Sequence, residues 1–277
     1  MTTTSASADT SIEPATARRR PPTRSTRDDI RSIPTLLRSE LIKLTSVRST
    51  ISLTAITVFG GFLVSWAVAA FVTDEVLYVA EVGFYWTVVA AVLASIGGVL
   101  LFSSEVQHGT LAGVLTAYPA RWVVATAKTI TAAAMGLVLG AAGLLAGFAG
   151  AAITDIDAGD TTAIPATCVW ALLFTVLSAA LGLGIGMIAR HSAAAVGALL
   201  VWGFVIENLL NLFMPAAISR FLPFLAGNRL LDLESDLDSP ASIAAALTRT
   251  QNAVVFGAYA VVALALGTTL LCRRDPS

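Results

Sequence analysis

Long apolar runs separated by short polar stretches make up most of this chain. A helix needs about 20 mostly apolar residues to cross the ~30 Å hydrocarbon core of a bilayer, and six runs are that long. Apolar and polar residues do not alternate within them, as they would in the strands of a transmembrane barrel. The pattern therefore predicts an all-α, polytopic membrane protein. The six transmembrane helices are predicted at about 51–73, 82–102, 129–153, 166–189, 192–214 and 252–272.

The residues before the first run divide into two parts. Residues 1–32 are rich in Thr, Ser, Ala, Arg and Pro, and they cannot bury enough apolar surface to offset the entropy of ordering. They are predicted to be a disordered basic tail. From about 33 to 49 one helical face becomes apolar, which predicts an interfacial amphipathic helix leading into the first span. That face consists of Ile33, Leu37, Leu41, Leu44 and Val47. Residues 33–277 are predicted to form one six-helix transmembrane domain.

Composition and charge place this domain in a bilayer and predict its orientation. The chain is 56% hydrophobic and 13% charged, whereas a typical soluble domain is about 25% charged. Lys and Arg in short loops remain on the cytoplasmic side. Nine of the 17 basic residues precede residue 51, and the loops after the first and third runs carry only acidic charges. We therefore expect a multi-pass protein of the cytoplasmic (cell) membrane with both termini inside.

The connection at 105–128, between the second and third runs, is a further amphipathic segment rather than a short polar loop. Arg121 and Lys128 place it in the cytoplasm and are explained as topology anchors. The first part of the segment resembles a docking element for a soluble partner. A capped connector without a partner explains the same pattern, and the residues alone leave both interpretations open. The residues predicted to dock are Glu105, His108, Gly109, Thr110, Leu111 and Leu115.

Glu207 is the one ionisable residue well inside a run, and Asn208 and Asn211 lie close to it in the sequence. A charge near the middle of a membrane costs several kcal/mol and marks a candidate functional site. A hydrogen bond between helices, or a protonated side chain, explains the same residue without a functional role. Both interpretations stay open.

Two further patterns bear on packing and on the outer surface. Glycines recur every three or four residues on one face of the third run, as in small-xxx-small helix interfaces. They are Gly136, Gly140, Gly143, Gly147 and Gly150. The long loop at 215–251 contains short apolar clusters broken by proline and glycine. It is predicted to lie outside and to form two short helices, which can dip partly into the outer leaflet only where protein covers them.

Motifs for chemistry are missing from the sequence. It contains no Walker-type GxxxxGK[ST] sequence, no GxSxG elbow and no HExxH motif. His108 and His191, the only histidines, have no cysteine or carboxylate cluster at metal-ligand spacing. We therefore predict no catalytic residue, no cofactor and no metal, and expect a chain that is not itself an enzyme.

Four elements in a fixed order resemble the type-2 family of ATP-binding-cassette (ABC) exporter permeases. The resemblance covers roughly residues 33–272, and residues 1–32 have no counterpart in it. The four elements are SELIKLTSVRSTISL (39–53), E-x-x-H-G-T-L (105–111), YPARWVVATAK (118–128) and the outer loop after Leu222–Pro223.

The resemblance implies a membrane-spanning half-transporter with an N-terminal connecting helix. In this family the segment after the second span is the coupling helix, which docks on a separate ATPase subunit. By position, Glu105, His108, Gly109 and Thr110 open that segment, and residues 119–128 close it. A homo- or heterodimer of permeases then works with two ATPase subunits in the lipid bilayer, and substrate passes along the permease interface. No nucleic-acid partner is expected.

Two other functions remain open. A secondary transporter would use Glu207 as a proton or ion site, although no convincing repeat relates the two halves of the chain. A non-transporting membrane scaffold or sensor would use the tail or the outer loop for binding. The leading hypothesis is an exporter permease that moves a hydrophobic or amphipathic substrate.

Overall fold

The computed structural model describes residues 26–72, 76–231 and 240–273. Helices cover 83% of these residues, and no strand occurs among them. Six helices are long and apolar enough to cross a membrane. The predicted fold class, an all-α polytopic membrane protein with six transmembrane helices, is therefore confirmed.

Eight principal helices follow one another along the chain. The membrane-spanning helices are α2, α3 (with the short helical turn Val79–Val82 before it), α5, α6, α7 and α8. Helices α1 and α4 are not among the spanning helices and lie at one end of the bundle, which we call the α4 end. The helices are α1 (Thr26–Ser46), α2 (Arg48–Phe71), α3 (Thr87–Gln107), α4 (Thr110–Ala117), α5 (Arg121–Ala152), α6 (Ile164–Ala189), α7 (Ser192–Phe213) and α8 (Arg249–Arg273).

Helices α3, α5 and α6 form the centre of the bundle. Helix α6 packs against α3, α5 and α8, and α2 packs along α5. In the core, Phe174 meets Phe256 of α8 edge-on, with ring centroids 5.4 Å apart. In contrast, most of the apolar surface of α2, α7 and α8 stays exposed, as it would where helices face lipid. Hydropathy located these helices to within a few residues, except at the ends of α3 and α5 that adjoin α4.

The five glycines predicted to pack helices are all buried on α5. A side chain at Gly136 or Gly140 would collide with Thr175 of α6, and one at Gly150 would collide with the backbone of Phe62 in α2. Gly143 and Gly147 face α2 and the residues around the start of α3. These glycines of α5 therefore allow close packing of α2, of α6 and of the residues around the start of α3 within the chain's own bundle.

Helix boundaries at the N-terminal side differ from the prediction. Helix α1 begins at Thr26, seven residues before the predicted start, and continues through Pro34. Residues 26–32 are thus helical, and the rest of the predicted tail lies outside the described residues. Helix α1 also packs on the protein, because Leu36 is buried in a cluster with Val123 and Val124 of α5. It therefore does not rest on lipid alone.

The segment after α6 is less regular. Helix α7 contains a π-helical stretch, Trp202–Ile206, immediately before Glu207. The predicted outer loop has three short helices where two were expected: Ala216–Ser219, Pro223–Asn228 and Pro240–Ala244. Part of this loop, residues 232–239, lies outside the described residues.

Candidate functional site

The structure divides the predicted docking segment at 105–128 into three parts. Glu105 lies in the last turn of α3, and residues 121–128 are the first turns of α5 rather than part of a connector. Between them, Gly109 has a φ of 70°, a left-handed conformation that glycine adopts without strain. This turn separates α3 from α4 and directs α4 across the end of the bundle.

Four charged side chains from three helices meet beside this turn. Lys128 Nζ lies 3.0 Å from Glu40 Oε2 and 2.9 Å from Glu105 Oε2. Lys43 Nζ lies 2.6 Å from Glu40 Oε1 and 2.9 Å from Glu105 Oε1. Each lysine therefore bridges both carboxylates. We call Glu40, Lys43, Glu105 and Lys128 the charge ring.

Three of the four side chains of the charge ring are largely buried, whereas that of Lys43 is 40% exposed. The side chain of Lys128 is 0% exposed, that of Glu40 1% and that of Glu105 12%. Lys128 Nζ donates hydrogen bonds to Glu40 Oε2 at 3.0 Å and to Leu101 O at 3.3 Å. Its 2.9 Å contact with Glu105 Oε2 is an ion pair without a hydrogen bond, because that oxygen has no hydrogen-bond partner. Charges are buried at acceptable cost only when they are paired in this way. The ring therefore fastens α1, the end of α3 and the start of α5 into one unit.

Pairing also sets the protonation of the ring. Burial alone would raise the pKa of Glu40, but the charges and hydrogen bonds of Lys128 and Lys43 outweigh it and hold that pKa below its ordinary value. Burial alone would lower the pKa of Lys43, but its hydrogen bonds to Glu40 and Glu105 raise it above its ordinary value. The two groups therefore stay charged at neutral pH.

Lys128, interpreted from the sequence as a topology anchor, is a buried ion-pair partner in the structure. It lies seven residues into α5, and the apolar run that hydropathy detects begins only after it. Arg121 also has a structural contact, since its Nη1 donates to Leu271 O at 2.9 Å and to Cys272 O at 3.3 Å. Cationic side chains bind the unpaired carbonyl groups at helix C-termini in this manner. Arg121 thus joins α5 to the end of α8.

The residues predicted to dock do not share one surface. Leu111 is buried in the main core and Leu115 packs against the same core, while Glu105 belongs to the ring. His108, Gly109 and Thr110 are exposed at the turn. The outward face of α4 also includes Ala112, Gly113, Thr116 and Ala117, which are exposed and small. We call these four residues with His108, Gly109 and Thr110 the α4 surface.

A second set of contacts, hydrogen bonds between the end of α3 and the start of α7, also lies at the α4 end. Ser192 at the start of α7 donates a hydrogen bond of 2.6 Å to Gln107 Oε1. The hydroxyl groups of Ser192 and Ser103 lie 2.9 Å apart. Through these contacts the last turn of α3 is joined to α7, whereas the charge ring joins it to α1 and α5. The turn that leads to α4 is therefore held from both sides.

Glu207 has a defined structural partner. It is 3% exposed, and its Oε1 accepts a hydrogen bond from the backbone N–H of Leu225. Leu225 lies in the first turn of the short helix Pro223–Asn228, where the N–H groups have no partner within the helix. Glu207 thus caps this helix, although its Oε2 has no hydrogen-bond partner. The contact holds the outer loop against α7.

The asparagines near Glu207 have different surroundings. Asn208 is exposed, and its Nδ2 donates to Gly203 O at 3.3 Å and Phe204 O at 3.1 Å. It thus satisfies carbonyl groups of the π-helical stretch. Asn211 lines a small pocket with Arg220 and Arg229. The structure therefore does not bring Glu207, Asn208 and Asn211 together around one cavity.

Glu40 and Lys43 are the site residues that sequence reasoning missed. Both lie off the apolar face of the predicted interfacial helix, where charged residues normally meet water. Their spacing of three is compatible with an ion pair on a helix surface, so it did not indicate burial. The partner Lys128 lies 88 residues from Glu40 along the chain, and no local pattern connects the two.

Comparison with known proteins adds no assignment. No protein-family model matches the chain, and no curated protein matches it at a significant level.

Proposed function

We propose that this chain is the membrane-spanning permease subunit of an ATP-driven exporter of the ABC type. It would move a hydrophobic or amphipathic substrate across the cytoplasmic membrane, with both termini inside. A separate ATPase subunit would supply the energy, and a second permease, identical or different, would complete the transport path. The proposal rests on the family resemblance together with the arrangement at the α4 end.

The observation that carries the proposal is the contrast between the two faces of α4. Its inner face is fixed to the core by Leu111 and Leu115, while the α4 surface is open and made of small residues and a histidine. A surface without large side chains allows close approach of a partner's backbone. A helix with one face packed against the core and the other face exposed can bind a partner and transmit its movement to the core.

The charge ring gives such a force a route into the membrane. Glu105 lies five residues before Thr110, and the hydroxyl group of Thr110 donates to Glu105 O at 3.3 Å. Movement of α4 would therefore pull on the end of α3, and the ring would pass the movement to α1 and α5. In this mechanism the ATPase brings the two docking helices together, and the spans respond as connected bodies.

The contact of Glu207 with the outer-loop helix supports a structural role for that residue. A secondary transporter would need a carboxylate that is free to exchange a proton or ion with a path across the membrane. Glu207 instead has one oxygen bound to a backbone amide. The secondary-transporter hypothesis therefore rests only on the other oxygen, Oε2, which is buried without a hydrogen-bond partner, and the scaffold hypothesis has no observation in its favour.

Affinity purification from the native membrane tests the proposal. The wild-type chain should bring down a protein with a Walker-type GxxxxGK[ST] sequence, and the complex should hydrolyse ATP. Ala112→Arg places a bulky charge on the α4 surface and should abolish both results. Ala158→Arg, at an exposed position in the loop between α5 and α6, is the matched control and should retain both. A wild-type preparation without any such protein would contradict the proposal.

A further inference from the structure

Two adjoining cavities flank the junction of α1 and α2. The first, of about 580 Å³, lies between α1, α2, α3 and α4. The second, of about 750 Å³, lies between α1, α2 and α5. Leu44, Thr50 and Met135 line both cavities, which therefore lie next to each other. Each lies within the ~300–1,000 Å³ range of small-molecule pockets.

The chemistry of the walls changes from one cavity to the other. In the first cavity, Lys43, Glu105 and several hydroxyl groups, among them that of Ser49, contribute polar atoms; the carboxylate of Glu105 is paired with Lys43 and Lys128. Lys43 Nζ uses two of its three N–H donors for Glu40 and Glu105, which leaves one for a ligand. The second cavity is almost entirely apolar, with walls formed mainly by aliphatic side chains of α2 and α5. Together they would suit a molecule with a polar end and a long apolar part.

The second cavity opens on a surface that faces lipid. Ile51, Val58 and Val138 in its wall are 54%, 45% and 57% exposed on membrane-spanning helices. Lipid chains are the molecules that meet such a surface in a bilayer. The occupant of the apolar part is therefore expected to come from the membrane.

The charge around the junction is positive. Arg31, Arg38 and Arg48 are exposed on α1 and at the start of α2. None of them makes an ion pair with another part of the chain that the structure describes. Arg48 lies between Val47 and Ser49, both of which line the first cavity. Exposed basic groups beside a membrane surface attract anionic lipid headgroups.

We propose that these cavities bind an anionic glycerophospholipid from the adjacent leaflet. One acyl chain lies in the second cavity along α2 and α5. The phosphate lies at the mouth of the first cavity, within reach of the free N–H of Lys43 and of Arg48. The lipid would fill the space between α1 and the spans and so brace the helix that carries half of the charge ring. Thr110, Gly113 and Ala117 of the α4 surface also line the first cavity, so the lipid site adjoins the proposed docking surface, but its test requires no ATPase.

Native mass spectrometry of the full chain tests the site. The protein is reconstituted with equal amounts of phosphatidylglycerol and phosphatidylcholine, extracted in mild detergent, and the retained lipid is identified. Wild type should retain phosphatidylglycerol in preference to phosphatidylcholine. Ala55→Trp fills the second cavity, because Ala55 is exposed in its wall, and it should lose most of the retained lipid. The matched control Ala70→Trp, exposed near the other end of α2, should retain lipid as wild type does.

Arg48→Gln provides a second variant at an exposed position that leaves the apolar wall intact. It should keep a bound lipid but lower the preference for phosphatidylglycerol about fivefold, the factor expected from one basic residue near an anionic surface. Equal retention by Ala55→Trp and wild type would overturn the site. Equal retention of the two lipids by wild type, or a non-lipid molecule in their place, would overturn the proposed occupant.

Discussion

Replacing Lys128 with methionine would leave one lysine, Lys43, beside the two carboxylates of the charge ring. Methionine keeps much of the volume of the lysine chain but none of its charge. Glu40, at 1% exposure, would lose its fully buried partner. Removing one member of a buried ion pair costs about 3–5 kcal/mol, because the other charge stays buried without compensation. We expect a loss of this size in the free energy of unfolding.

The double variant Glu40→Gln/Lys128→Met separates charge balance from packing. It leaves Lys43 paired with Glu105, so no excess charge stays buried. Replacing both members of a buried pair is often close to neutral, and the double variant should therefore lie within about 1–2 kcal/mol of wild type. The double variant, which changes two residues, should thus lose less stability than Lys128→Met alone.

The assay is equilibrium unfolding in mixed micelles with increasing mole fractions of sodium dodecyl sulfate, followed by tryptophan fluorescence. Refolding on dilution establishes reversibility, which the free-energy comparison requires. If Lys128→Met alone is as stable as the double variant, the ring does not act as a coupled unit and the reasoning fails.

Three further predictions concern pH, helix packing and the outer loop. The pKa of Glu40 is lowered from 4.5 and that of Lys43 is raised from 10.5. The stability that these groups contribute should therefore be complete between these two values, fall when acid protonates Glu40 and fall again when alkali neutralises Lys43. Measured against pH, the unfolding midpoint of Glu40→Gln should lack the decrease in acid that Glu40 causes. Gly182→Ala should cost about 1–3 kcal/mol by overpacking α6 on α3, whereas Gly113→Ala, with open space around it, should be neutral or stabilising in the same unfolding assay. Glu207→Ala should speed hydrogen exchange at the amides of the short helix Pro223–Asn228, and Glu207→Gln, which keeps an acceptor, should protect them; equal exchange in both variants would contradict the capping role.

The transmembrane helices were predictable because lipid imposes a length and a composition on them. Predicted and observed spans agree within a few residues at most ends, as at 166–189 against Ile164–Ala189. The larger differences are at the α4 end, where α3 and α5 continue beyond their apolar runs. Helical hydrogen bonds do not require apolar side chains. An apolar run therefore ends where contact with lipid ends, whereas the helix itself continues.

The charge ring was not predictable from the sequence. Each of its members has an ordinary local explanation. Lys128 is a typical residue of a basic cytoplasmic connector, and Glu40 is a typical residue of the solvent-exposed face of an amphipathic helix. Burial of these charges becomes acceptable only because four side chains from distant parts of the chain meet in alternating order. That arrangement is a property of the tertiary structure, and it cannot be predicted from local patterns in a single sequence.

The predicted docking residues were likewise predictable only in part. Glycine at position 109 predicted a turn, and the structure has one with a left-handed backbone. Leu111 and Leu115 had been assigned to contact with a partner, but they face the core. An amphipathic helix has an apolar face whether that face meets a partner or its own protein. The sequence therefore located α4 but not which side of it is free.

Site-specific photo-crosslinking tests the central claim, that α4 docks on a separate ATPase. A photoreactive amino acid at Thr116, on the α4 surface, is activated in native membranes, and the same amino acid at Ala158 is the control. The account predicts a crosslink from position 116, and none from position 158, to a protein that contains a Walker-type sequence. Crosslinks from position 116 to lipid alone, or to no ATPase, would contradict it.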